Sequence, residues 1–135
     1  MRGDALSGED RELLAAAHAV RLHAHAPYSR FRVGAALRTA EGAVIVGCNV
    51  ENVVLGETVC AEKSAIVGGV SQGHQRFQVV AIVTDHRPAA SPCGSCRQML
   101  FTWGVERVIL ANLSGEVEVW SLADLLPRSF VLELP

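Results

Sequence analysis

The sequence predicts an α/β protein, a three-layer α-β-α sandwich built round a five-stranded mixed sheet. Three observations support this. Helical and strand-like patterns follow one another in the order α-β-β-α-β-α-β-β-α, which asks for helices packed on a sheet. Phe77 to Thr84 is an almost unbroken apolar run, the mark of a strand covered on both faces. The chain has 135 residues and no linker, repeat or low-complexity tract, so residues 1–135 are expected to form a single domain with one core.

Each element has its own signal. Ser7 followed by Asp10 marks a helix start, and Leu13, Ala17, Val20 and Ala24 recur at helical spacing until Pro27 stops the run. Phe31, Val33, Ala35 and Leu37 alternate with Arg32, Gly34, Ala36 and Arg38, as in a strand with one buried face. Glu41-Gly42 is a turn into a second, nearly all-apolar strand, Ala43 to Cys48, so these two are expected to pair as a hairpin. Cys60 opens a helix carrying Ala61, Ala65, Ile66 and Val70 and closed by Gly73. Gly68-Gly69 weakens that helix, which points to another element approaching closely there. Beyond the apolar strand, a helix is expected from Pro92-Cys93 to Trp103. Strands at Val108 to Ala111 and Val117 to Trp120 follow, with Ser114-Gly115 between them, then a short helix from Leu122 to Leu126.

Composition narrows the function. Half the residues are apolar and 19% are charged, little charge to coat a monomer, so part of the surface is expected to be covered by further copies of the chain. A net charge of −2 with no basic stripe gives nucleic-acid binding no electrostatic support. No apolar run approaches the length of a membrane span, and Met1 to Asp10 is too polar and acidic for a secretory or transit peptide. A cytoplasmic protein with reduced cysteines and a small, weakly charged partner is the expectation.

The strongest chemical signal is Cys60-Ala61-Glu62 together with Pro92-Cys93-Gly94-Ser95-Cys96. A Cys-x-x-Cys pair on a helix's first turn aims two sulfurs at one point, and a third cysteine at another helix start completes three sides of a tetrahedron. Helix starts favour the thiolate, the form that binds zinc. Three protein ligands with one open position is the catalytic arrangement of zinc. Glu62, two residues from a ligand, stands where a carboxylate takes a proton from water on that open position. Cys93 and Cys96 also fit a redox pair, and Cys48 is the available fourth ligand for a closed structural site, although its apolar strand suits a small buried hydrophobe. His18, His23, His25, His74 and His86 share no ligand-like spacing with the cysteines and read as surface or capping residues.

With these residues in view, the chain resembles the small homotetrameric cytidine deaminases. The resemblance runs from Pro27-Tyr28-Ser29-x-Phe31-x-Val33-Gly34-Ala35-Ala36 to Leu125-Leu126-Pro127-x-Ser129-Phe130. Between them lie Gly47-Cys48-Asn49-x-Glu51-Asn52, Cys60-Ala61-Glu62 and Pro92-Cys93-Gly94-x-Cys96-Arg97-Gln98. It implies one Zn²⁺ per chain on Cys60, Cys93 and Cys96, with Glu62 shuttling protons during hydrolytic attack at C4 of a cytosine nucleoside. It further implies that Asn49 and Glu51 hold the ribose 3′-hydroxyl, Phe31 packs on the pyrimidine and Ala61 contacts the base through its backbone. Phe130 would enter a neighbouring subunit's site within a homotetramer. Taken alone, Phe31 and Phe130 read rather as core, and Asn49 with Glu51 rather as a turn and a solvated carboxylate.

The sequence departs from the family in three places. Lys63, the only lysine, replaces an arginine that in relatives donates to the thiolate ligands; its alternative reading is an exposed helix residue. Leu55 stands where an aromatic is usual and Glu57 where an apolar residue is common. Deamination of another aminated heterocycle, and a zinc-stabilised binding protein without activity, are the competing readings.

Overall fold

The computed structural model describes residues 6–134; Met1 to Ala5, part of the stretch read above as no leader peptide, and Pro135 lie outside the described residues. The first helix, α1 (Gly8–Arg21), starts where its cap predicts. Ser7 Oγ accepts from Asp10 N and Asp10 Oδ2 accepts from Ser7 N, both at 3.1 Å. Asp10 also receives both arms of the Arg107 guanidinium, at 2.8 and 2.7 Å, which pins the helix start to a strand 97 residues away. The helix ends at Arg21, short of Ala24, which is buried in the turn that follows.

Five strands form one sheet in the order β2-β1-β3-β4-β5. β1 (Gly34–Thr39) and β2 (Val44–Cys48) make the expected hairpin, and β3 (Phe77–Thr84) pairs antiparallel with β1. β4 (Arg107–Asn112) lies parallel to β3, reached through helix α3 (Gly94–Thr102), and β5 (Val117–Ser121) closes the edge antiparallel. One parallel pair among antiparallel ones makes the sheet mixed, as expected.

The helices α2 (Ala61–Ser71) and α3 cover one face of the sheet and α1 covers the other, with α4 (Leu122–Leu125) beside α3. On the α1 side Leu13 and Ala17 pack on Ala36, Ala81, Val83 and Ile109. On the opposite side Ala65, Ile66 and Leu100 pack on Leu37, Val80, Ile82 and Leu110. The first strand differs from its one-faced reading. It begins at Gly34, and Ala35, Ala36 and Leu37 are all fully buried, because β1 is an interior strand with a helix on each side. Phe31 and Val33 belong to the coil before it.

Two glycines set the helices' distance from the sheet. A Cβ at Gly34 would lie 2.0 Å from Ala17 O in α1, and one at Gly47 would lie 2.4 Å from Ala65 N and 2.8 Å from Ala61 O in α2. α2 thus sits with its first turn directly on β2. Of the Gly68-Gly69 pair only Gly69 meets a neighbour, the Phe77 ring at 2.8 Å; Gly68 faces open space. A short 3-10 turn, Leu55–Glu57, was not legible in the periodicity, since three residues carry none.

Candidate metal centre

Both helices that follow the cysteine motifs begin at a cysteine. Cys60 is the N-cap of α2 and Cys93 the N-cap of α3, both in extended backbone geometry, and neither thiol is spent on a cap hydrogen bond. Cys96, on the first turn of α3, is buried. The three Sγ atoms lie within 4.8 Å of one another. A tetrahedral zinc with 2.3 Å bonds holds its sulfurs about 3.8 Å apart, so the donor set fits this ion with a small inward adjustment. Cys48 does not join the group, all four cysteines are unbridged, and burial pushes the Cys48 thiol up.

The electrostatics ask for a cation. The hydrogen bond with Cys96 draws the Cys60 thiol down to about 6 against the cost of burial, with the charge of Lys63 assisting. The same hydrogen bond and burial push Cys96 upward. Three thiolates at this spacing repel one another unless a positive ion sits among them. Glu62, on the first turn of α2, is 5% exposed, and burial raises its carboxyl to about 7, with the Cys60 charge adding to the rise.

A cavity of about 300 Å³ opens on this cluster. Cys60, Ala61, Glu62 and Cys93 line its floor, and Phe31, Asn49 and Glu51 line its walls. Asn49 is buried and pairs with the coil before β1: its Oδ1 accepts from Val33 N at 2.9 Å and its Nδ2 donates to Phe31 O at 2.7 Å. Glu51 accepts from the backbone of Tyr28 at 2.9 Å and of Ser29 at 3.1 Å, and from the Ser29 hydroxyl. That hydroxyl is the main cause of a lowered Glu51 carboxyl. Ser29 in turn accepts from Phe31 N at 3.0 Å, so one hydroxyl orients both the acid and the aromatic residue.

The remaining candidates lie outside the cavity. Lys63 Nζ donates to Ser95 Oγ at 2.6 Å, joining α2 to the turn between Cys93 and Cys96 through a hydroxyl rather than through sulfur. Phe130 is 67% exposed and sits at a separate, larger cavity of about 830 Å³ beside α4 and the end of α3, with none of the thiols in its lining. Size does not identify the chemistry here; the smaller cavity is the one lined by Cys60, Cys93, Glu62 and Glu51. Leu55 and Glu57 are exposed and line neither cavity. Sequence reasoning assigned no role to Ser29, Arg97 or Gln98. Gln98 grips the Phe130 backbone in both directions at 2.9 Å, and all three stood in the quoted motifs without a partner to explain them.

Residues 7–112 match the family model described as the cytidine and deoxycytidylate deaminase zinc-binding region. A cytidine deaminase of Sporosarcina psychrophila is 42% identical over 124 residues, covering 90% of this chain and 91% of that protein. A cytidine deaminase of Mycobacterium tuberculosis is 42% identical over 110 residues, covering 82% of this chain and 80% of its own. The crystal structure of a cytidine deaminase from Burkholderia pseudomallei superposes with a TM-score of 0.86 at 41% identity, over 93% of this chain and all of that one.

Proposed function

The chain belongs to the zinc-binding cytidine and deoxycytidylate deaminase family, and from that premise we propose that it hydrolyses cytidine and deoxycytidine to uridine and deoxyuridine, with release of ammonia. One observation carries the reading: three thiols converge, and two of them, Cys60 and Cys93, line a single nucleoside-sized cavity together with a buried carboxyl.

Zinc held by Cys60, Cys93 and Cys96 supplies a Lewis acid that makes water acidic near neutral pH. Glu62 takes a proton from the attacking water as its oxygen adds to C4 of the ring, and gives a proton to N3. It then takes the second water proton from the hydroxyl now on C4 and gives it to the amine as the C4–N bond breaks and the C4 carbonyl forms, so that water and cytidine become uridine and ammonia. A carboxyl held near neutrality by burial suits a group that must both accept and return a proton. Phe31 offers an aromatic face to the flat base, and Ala61 offers backbone groups. Asn49 spends one donor and one acceptor on the coil before β1, which leaves one of each for a ribose hydroxyl. Glu51, oriented by Ser29 and Tyr28, keeps one lone pair on Oε2 for the same hydroxyl.

The exposed Phe130 is read as entering the cavity of a neighbouring copy, which makes the working unit a homotetramer with shared sites. Lys63 places a positive charge beside the thiolates through Ser95. The role is pyrimidine salvage in the cytoplasm, carried by one domain. Ultraviolet absorbance with cytidine and deoxycytidine tests the activity, comparing zinc-loaded protein with Glu62→Gln; no turnover of either nucleoside by the wild type overturns it. Light scattering tests the tetramer. Mixing inactive Glu62→Gln chains with Phe130→Ala chains tests sharing, because only shared sites let a mixture regain activity.

A further inference from the structure

Arg97 follows the ligand Cys96 directly, and its guanidinium serves three acceptors on two separate pieces of the chain. Nε donates to Pro92 O at 2.8 Å, one Nη to Ser91 Oγ at 2.7 Å, and the other Nη to Leu125 O, at the end of α4, at 2.7 Å. Its backbone N–H donates to Cys93 O at 2.9 Å. One residue therefore grips both sides of the peptide link that delivers Cys93 to the cluster. Among the described residues no carboxylate lies within ion-pairing distance of Arg97. Its hydrogen-bonding capacity goes to neutral acceptors, chiefly peptide carbonyls.

This matters because Cys93 is the least supported of the three thiols. It is exposed, its side chain caps nothing, and residues 87–93 run without helix or strand. Cys96 lies inside α3, and the residue before Cys60 is held by a β-bridge between Val59 and Val50, but the approach to Cys93 has no ladder to hold it. Proline at 92 has no backbone N–H to donate, so the carbonyl gripped by Arg97 is its only main-chain hydrogen-bonding group.

We propose that Arg97 is a positioning residue for the metal centre: through its three side-chain hydrogen bonds it holds the Ser91-Pro92 segment against α3 and α4, and so keeps Cys93 at bonding distance from zinc. The proposal rests on the reading of the three cysteines as zinc ligands. Lysine has the charge without the planar fork and reaches one of the three acceptors at a time. Loss of a residue that orients a ligand typically costs 10–100-fold in metal affinity.

The test uses the full zinc-loaded chain and its Arg97→Lys variant, with Arg107→Lys as a control that breaks the fork gripping Asp10 far from the cysteines. Zinc transfer to a chromophoric chelator is timed well below each protein's unfolding temperature, and the ligand-field bands of the cobalt(II)-substituted proteins are recorded. The expected result is release about 10–100-fold faster from Arg97→Lys, with altered cobalt bands, while Arg107→Lys keeps the wild-type rate and spectrum even where its unfolding temperature falls. Wild-type release and bands in Arg97→Lys overturn the proposal. Equal acceleration in both variants also overturns it, since release would then follow overall stability. A wild-type chain that binds no stoichiometric zinc defeats the zinc reading itself, an outcome distinct from the other two. Should Arg97→Lys fail to fold, Ser91→Ala removes one acceptor from an exposed position. It is expected to speed release about 2–5-fold, a fraction of the full effect; an unchanged rate there counts against the proposal equally.

Discussion

Replacing Gly47 by alanine connects packing to chemistry in one atom. The added Cβ would stand 2.4 Å from Ala65 N, 2.8 Å from Ala61 O and 2.9 Å from Ala65 Cα, where ordinary contact begins at 3.4 Å. All three neighbours are backbone, so no side chain can swing aside and the first turn of α2 must lift by about 1 Å. That turn carries Ala61 and Glu62, with Cys60 as its cap. Overpacking of this kind costs about 1–3 kcal/mol. A displacement near 1 Å at reacting groups costs about 100-fold in rate. Differential scanning calorimetry and steady-state turnover of cytidine measure the two effects. Gly68→Ala, on the same helix but facing open space, is the control; it is expected to gain up to about 1 kcal/mol from helix propensity and keep its activity. A Gly47→Ala protein with wild-type kcat/KM and unfolding temperature would falsify the idea that this glycine sets the distance between α2 and the sheet.

Other expectations are shorter. Glu62→Gln is expected to retain one zinc per chain by atomic absorption and to lose about 10²–10⁴-fold in kcat, the usual worth of a positioned proton donor and acceptor; near-native turnover rules out Glu62 as the shuttle. Cys93→Ala is expected to lose zinc and Cys48→Ala to keep it, because only Cys93 belongs to the sulfur cluster; zinc loss in Cys48→Ala would restore the closed-site reading. The Arg107 guanidinium beside Asp10 holds its carboxyl at about 2, below the usual 3.8. A depressed carboxyl stabilises fully above its unfolded value, so its contribution is present above about pH 4 and lost as pH falls toward 2. With the Arg107 side chain about a third exposed, that contribution is discounted to about 1–2 kcal/mol. Denaturant melts should show Asp10→Asn weaker by this amount at pH 7 and level with the wild type near pH 2; an equal gap at both pH values would contradict the ion-pair account.

Much of the fold could be read from the sequence because its signals are local. The Ser7/Asp10 cap, the Glu41-Gly42 turn and the apolar run at Phe77 to Thr84 each act within a few residues, and each marks an element that formed. β1 was misjudged because burial on a second face is decided by α1, whose contact partner in the strand is unmarked in the strand's own pattern. The short turn at Leu55–Glu57 has too few residues for any period.

Within the site the division is the same. The spacing of Cys93 and Cys96 on one helix turn, and of Cys60 and Glu62 on another, is determined by chain geometry alone, so the kind of metal chemistry was readable from the letters. Which thiol is left out of the cluster depended on tertiary packing. So did the burial that lifts Glu62, the hydroxyl of Ser29 that orients Glu51, and the bond by which Arg97 reaches Leu125 at the end of α4. Each of these is a contact between residues distant in sequence. Such contacts follow from how helices and strands settle against one another, and no local period or spacing encodes that.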